Sequence, residues 1–203
     1  MNDDHLRLLS SPAWRDYLSV DLLPWVLAEL DVDGDILEVG PGPGLMTDLL
    51  HPCVRHLVAI EVDPVLALKL EERVKGTGVE VICADATMSL LPDARFSGAV
   101  CLTMLHHVPS EDLQDQLFAE LHRLLRPGGR LVGTDSTDSP ALRSFHVGDV
   151  FVPVDPATLG HRLEIAGFRD AVVEIWEAST RLGPKVRFTA TKSTADHRGT
   201  DAR

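Results

Sequence analysis

Apolar residues first recur at helical spacing in Leu22, Leu23, Val26, Leu27 and Leu30, a pattern that stops at Asp33-Gly34. Ser11 before Pro12 has the form of a helix cap followed by a first-turn proline, so residues 12–31 read as one or two amphipathic helices. Ile36 to Val39 is then a short strand running into a glycine-rich turn. Leu45, Leu49 and Leu50 give a helical face, and Leu57 to Ile60 a second strand that stops at Glu61. Asp63-Pro64 repeats the cap-then-proline signal ahead of a helix reaching Gly76, with Val65 and Leu68 on one side and Lys69 and Glu72 on the other. Val79 to Cys83 and Gly98 to Leu102 are the third and fourth strands. Ser110 caps a helix carrying Leu113, Leu117, Leu121 and Leu124, closed by Arg126-Pro127-Gly128-Gly129, and Arg130 to Gly133 is the fifth strand.

The last third changes rhythm. Pro156 to Ala166 is helical up to Gly167, and Ala171 to Glu177 is a strand. Val186, Phe188 and Ala190 alternate with polar residues as a half-buried strand does, and Gly183-Pro184 joins the two as a hairpin. Strands alternating with helices specify parallel pairing, because parallel neighbours need a crossover connection. The expectation is an α/β fold with a doubly wound, seven-stranded sheet. It is mostly parallel, with an antiparallel C-terminal hairpin and helices on both faces. There is no internal repeat and no linker, so one domain over residues 1–192 is expected, with 1–34 as a helical cap and 193–203 as a flexible polar tail.

The chain has 203 residues, 44% of them apolar, enough to enclose a core without staples and to exclude disorder as the main state. Its net charge of −12, with no basic run, argues against a nucleic-acid partner held through phosphates. Cys53, Cys83 and Cys101 are odd in number and widely spaced, suggesting neither a disulfide framework nor a metal knuckle. The polar start Asn2-Asp3-Asp4-His5 is unlike a leader peptide, and no apolar run approaches the roughly 20 residues that span a bilayer. A cytoplasmic location without membrane contact is expected.

The chemistry concentrates in Glu38-Val39-Gly40-Pro41-Gly42-Pro43-Gly44, three glycines two apart between a strand and a helix. Absent side chains let backbone amides approach a ligand at the carboxyl edge of the sheet, a nucleotide pocket unless the run is only a structural turn. Glu61 ends the second strand, where a carboxylate accepts from ribose hydroxyls or simply meets solvent. Asp85, in Cys83-Ala84-Asp85-Ala86, is positioned either for an adenine amino group or for a local Asx turn. Glu38 discriminates between ligands: a carboxylate aimed at the glycine turn repels a pyrophosphate and welcomes a cationic group.

With these residues the sequence resembles the class I S-adenosylmethionine-dependent methyltransferases, over about Ile36 to Gly133. Leu125-Arg126-Pro127-Gly128-Gly129-Arg130-Leu131 is similar to that family's turn into strand five. The resemblance implies a Rossmann-like fold, S-adenosyl-L-methionine as cofactor and S-adenosyl-L-homocysteine as product. It implies that Glu38, Gly40, Pro41, Gly42 and Gly44 line the methionine part, Glu61 and Val62 the ribose, and Asp85 and Ala86 the adenine, with Leu102 beneath the sulfonium. Leu105-His106-His107 is similar to the branch acting on small metabolites, so a small-molecule acceptor is the main expectation.

Methyl transfer asks mainly for alignment and exclusion of water. Where the acceptor must lose a proton, His106 or His107 is the candidate base, against the plainer reading of histidines that pack or cap a helix. Asp135 and Asp138 either orient an acceptor hydroxyl or open a polar loop. Trp14 and Tyr17 are a lid or ordinary core, and residues 140–155, with Phe145, His146, Phe151 and Val152, form the loop insertion expected to meet the acceptor. No metal is expected, and a monomer and a homodimer are both compatible with the apolar helix faces. The alternatives are an RNA or protein acceptor, a nicotinamide oxidoreductase, and a non-catalytic nucleotide-binding module. Glu61-Val62-Asp63-Pro64 resembles RNA dimethylases, but Leu102-Thr103-Met104-Leu105 replaces the Pro-Pro-aromatic turn that grips a flipped base.

Overall fold

The apolar run Ile36-Leu37-Glu38-Val39 becomes β1 (Asp35–Val39), buried on both faces and therefore suited to the middle of a parallel sheet. In the computed structural model, which describes residues 3–176 and 184–194, β1 is the third of seven strands. On one side it pairs in parallel with β2 (His56–Glu61), which pairs with β3 (Glu80–Cys83). On the other it pairs in parallel with β4 (Phe96–Leu102), followed by β5 (Leu125–Ser136). The sheet is completed by β6 (Phe168–Trp176) and β7 (Lys185–Lys192), in the order β3-β2-β1-β4-β5-β7-β6.

The helices are α1 (Asp3–Leu9), α2 (Pro12–Tyr17), α3 (Leu23–Glu29), α4 (Leu45–Leu50), α5 (Pro64–Arg73), α6 (Glu111–Leu124), α7 (Pro140–Phe145) and α8 (Pro156–Ile165). Alternation along β1 sends Leu37 and Val39 into a core with Leu117, Phe118 and Leu121 of α6 and Leu159 and Leu163 of α8. Ile36, one residue away, faces the opposite core, built from Trp14, Leu22 and Val26 of the N-terminal segment and Met46 and Leu50 of α4. Glu38 shares the Ile36 side. Because β2 and β4 lie on opposite sides of β1, the chain leaves the sheet in opposite directions after β1 and β4, and a crevice opens at the carboxyl end of β1.

The caps form as the sequence implies: Ser11 accepts from the Trp14 amide at 3.2 Å, Asp63 from Val65 at 2.8 Å and Ser110 from Leu113 at 3.2 Å. Four details differ from the sequence reading. Residues 12–31 are divided by a π-helical segment, Leu18–Leu22. Asp3–Leu9 adds a helix of 7 residues ahead of Ser11, too short for its leucines to set a periodic pattern. The Arg126 to Gly129 segment is absorbed into β5 as an irregularity, since pairing shifts from Phe96↔Leu125 to Gly98↔Arg130 and Gly128 takes φ +82°. Ser139-Pro140 caps a further helix, α7, inside the segment read as loop.

The C-terminal pair is antiparallel as expected, but β7 lies inside the sheet between β5 and β6, so β6 forms the margin and β7 alone runs against the others. Its placement follows from a contact: a Cβ at Gly133 of β5 would stand 2.0 Å from the Phe188 ring of β7, so the glycine makes room for that ring. Residues 177–183, including Gly183 of the expected turn, lie outside the described residues, as do 195–203 of the expected tail. No helix among the described residues is long and apolar enough to cross a membrane.

Candidate functional site

After β1 the chain turns through Gly40 at φ +62° and Gly42 at φ +56°, left-handed conformations that a glycine adopts without strain. The Gly40 amide donates to the Ile60 carbonyl at 2.9 Å, and the Gly42 amide donates to Glu61 Oε2 at 2.9 Å. Glu61 Oε1 also accepts from the Asp63 amide at 3.0 Å. One buried carboxylate at the end of β2 thus ties together the loops after β1 and β2. Each of its oxygens keeps lone-pair capacity for a ligand.

Glu38 is 2% exposed, and its Oε2 accepts from the Thr47 hydroxyl of α4 at 2.7 Å. Burial pushes its carboxyl up to about 7, with further upward pressure from Asp48 and Glu61 and relief from the Thr47 hydrogen bond and Arg73. Glu38 lines a cavity of about 60 Å³ together with Gly40, Pro41, Gly42, Leu102 and Trp14. Next to it lies a cavity of about 370 Å³, onto which Gly40, Gly42, Glu61, Val62, Asp85 and Ala86 face. Asp85 Oδ1 accepts from the Thr87 amide at 2.8 Å, so the local turn is present and the same side chain rims the larger cavity. Gly44 lines neither cavity. It caps α4 at φ +77° and packs against α5, where a Cβ would come within 2.1 Å of Arg73 Nη2 and 2.6 Å of Leu70 Cδ1.

The short helical turn Leu105–His107 after β4 carries both histidines, and they part company. His107 lines both cavities. His106 is 1% exposed and sits behind it, with Nδ1 2.6 Å from Asp135 Oδ1. Asp135, at the end of β5, also accepts the His106 amide at Oδ2 (3.3 Å) and is fully buried. Burial works to raise its carboxyl, but His106 and the Lys185 ammonium hold it below the usual range. Lys185, 1% exposed, donates to Ser136 Oγ at 2.9 Å, and burial pulls its ammonium down to about 8 against the attraction of Asp135. Asp138 is on the surface, paired with Arg143.

Two histidines that sequence reasoning did not connect with the pair complete a cluster. His5 of α1 is 3% exposed, with ring centroids 4.8 Å from both His107 and His146. His146, just after α7 and 3% exposed, stacks on Phe151 at 4.5 Å and meets His106 edge-on at 5.0 Å. Burial drives His107 down to about 4 and His5 to about 3, with the neighbouring imidazoles adding to the effect. Burial lowers His146 too, against the hydrogen bond its Nδ1 makes to the Leu142 carbonyl. The segment 140–155 does reach the cavity, through Asp149 and Val150. Trp14 and Tyr17 are core residues whose rings lie 5.0 Å apart, and Trp14 alone of the two also walls the smaller cavity. Nothing in the spacing of His5, His146 or Lys185 announces these positions, because the site residues they meet, His106 and His107 for the histidines and Asp135 for the lysine, lie 39 or more residues away.

Residues 37–133 match the family model described as a methyltransferase domain. The match covers 97 of the 203 residues. The chain is 33% identical over 136 residues to a ribosomal RNA small subunit methyltransferase A of Kineococcus radiotolerans, covering 54% of this chain and 43% of that protein. It is 29% identical over 142 residues to a "probable S-adenosylmethionine-dependent methyltransferase" of Mycolicibacterium smegmatis, covering 66% and 51% respectively. This chain therefore spans about half the length of these curated relatives or less. Among solved structures, the fold is similar to that of a Burkholderia thailandensis 1,6-didemethyltoxoflavin-N1-methyltransferase with bound S-adenosylhomocysteine. The TM-score is 0.70 at 22% identity, covering 90% of this chain and 81% of that one.

Proposed function

We propose that this protein transfers a methyl group from S-adenosylmethionine to a small-molecule acceptor and releases S-adenosylhomocysteine. Glu38 carries the reading. A carboxylate buried beneath the glycine turn, and lifted to about 7, is stabilised by a cation arriving in the adjoining cavity and is opposed by a phosphate. The ammonium of a methionine moiety meets that requirement, and the pyrophosphate of a nicotinamide dinucleotide does not.

In this reading Glu38 holds the ammonium, with Gly40, Pro41 and Gly42 around the amino-acid end. Glu61 and Val62 hold the ribose, Asp85 and Ala86 the adenine, and Leu102 forms the apolar floor. Gly44 supports the turn through α5 rather than touching the ligand. Bound, the cofactor supplies a methyl group made electrophilic by its positive sulfur. His107 faces both cavities, and its lowered pKa makes it a weak proton acceptor at neutral pH, so we assign it to aligning the acceptor and His106 to supporting it. Acceptors that present a free lone pair at neutral pH, such as aromatic amines and acidic phenols, suit this arrangement.

The small-molecule class is supported by the apolar wall that Val108, Leu113 and Leu117 give the larger cavity, and by the net charge of −12. An RNA acceptor is the second reading, favoured by the relatives named as ribosomal RNA methyltransferases. Calorimetry of the full chain is expected to register S-adenosylmethionine and S-adenosylhomocysteine and to register no NAD; the reverse pattern would overturn the proposal. Labelled-methyl assays with amines, phenols and a ribosomal RNA fragment then separate the two acceptor classes.

A further inference from the structure

Three buried histidines and the partly buried His107 gather at one place, and the methyl-transfer reading, which uses His107 and His106, gives His5 and His146 nothing to do. One potential ligand atom from each of His5, His106, His107 and His146 lies within 4.8 Å of the others. His106 Nδ1 is committed to Asp135 at 2.6 Å and His146 Nδ1 to the Leu142 carbonyl at 2.8 Å. In a neutral ring these bonds direct the free lone pair to Nε2. The Nε2 atoms of His106, His107 and His146 are all buried without a hydrogen-bond partner. A buried polar atom left unpaired is costly, and three of them within one histidine cluster call for a shared partner.

We propose that His5, His106, His107 and His146 form a binding site for one borderline divalent cation, with Zn²⁺ the best match. This cation pins α1 and the turn after α7 against the end of β4. Imidazole nitrogen is the preferred donor of such ions, and four protein ligands leave no open position, the mark of a site that holds structure together. In a tetrahedral site with metal–nitrogen bonds of about 2.0–2.1 Å the donor atoms stand about 3.3 Å apart, so the widest pair closes by roughly 1.5 Å. The outer partners are in place: Asp135 behind His106 reproduces the carboxylate–histidine–metal arrangement, and the Leu142 carbonyl orients His146. The ligands come from three segments remote in sequence, so one ion would join the N-terminal cap, the sheet and the α7 segment that borders the acceptor side of the cavity.

The test uses the tag-free full chain, stripped with chelator and titrated with Co²⁺ and then Zn²⁺. We expect one Co²⁺ per chain, with the strong visible bands of tetrahedral coordination and no near-ultraviolet thiolate band. We expect Zn²⁺ to displace it, to raise the unfolding midpoint and to slow amide exchange in α1. His146→Ala and His5→Ala each lower Zn²⁺ affinity at least tenfold and abolish the bands, while His161→Ala, on the surface, changes neither. His5 lies on the terminal helix and outside the hydrophobic clusters, so His5→Ala decides the matter should His146→Ala fail to fold. Absent bands with an unmoved midpoint, a thiolate band, or binding that survives these substitutions would overturn the site. None of these readouts depends on methyl transfer.

Discussion

At the scale of single residues, Glu38 joins stability to ligand recognition. Its folded pKa of about 7 lies above the ordinary 4.5, so between those values the folded state binds a proton that the unfolded chain has released. Its contribution to stability is therefore intact below about pH 4.5 and falls away as pH climbs to about 7, a loss of about 3 kcal/mol in the absence of ligand. A cation in the smaller cavity favours the ionised form, so S-adenosylhomocysteine affinity should rise from about pH 6 to 8 and then level off. Glu38→Gln should flatten that profile, weaken binding by about 1.5–3 kcal/mol and leave the protein at least as stable at high pH. An unchanged profile in the variant would detach Glu38 from the ligand. The acid ahead of the glycines was legible in the sequence; its burial and its Thr47 partner were not, because Thr47 lies on the following helix and meets it only after the turn is made.

At the scale of elements, the Glu61 carboxylate fastens the loops after β1 and β2 in addition to backbone bonds such as Gly40 to Ile60. Removing that carboxylate orphans the buried Gly42 amide, at about 1–3 kcal/mol, and frees the part-buried Asp63 amide, which water can reach at lower cost. Glu61→Ala should therefore lower the unfolding midpoint by several degrees as well as weaken cofactor binding. A calorimetric scan identical to that of the parent protein would show that these bonds contribute nothing. Between β5 and β7 the limiting contact is steric. Gly133→Ala sets a Cβ about 2.0 Å from the Phe188 ring and should cost about 1–3 kcal/mol through displacement of a buried aromatic; an unaltered denaturation midpoint would count against the pairing. Strand and helix identities were legible from period and caps. The position of β7 inside the sheet was not, since alternation reports which face is buried and carries no information about the neighbouring strand.

At the scale of the whole molecule, a net charge of −12 opposes association with a polyanion. The full chain should show no retention of a ribosomal RNA fragment in fluorescence anisotropy even at low salt. Tight, steeply salt-dependent binding would shift the acceptor assignment to RNA. The sequence by itself determined the alternation of strands and helices, the parallel sheet, the glycine turn and the acids at the strand ends. These are local signals, written in periodicity and in residues whose conformational needs act within a few positions. Only the tertiary structure decided that His106 turns away from the cavity to Asp135 while His107 faces it, and that Gly44 serves packing. It alone brought His5 and His146 to the same point as the pair after β4. Those outcomes depend on which distant segments meet once the two cores have closed on the sheet, and a linear pattern holds no record of that meeting.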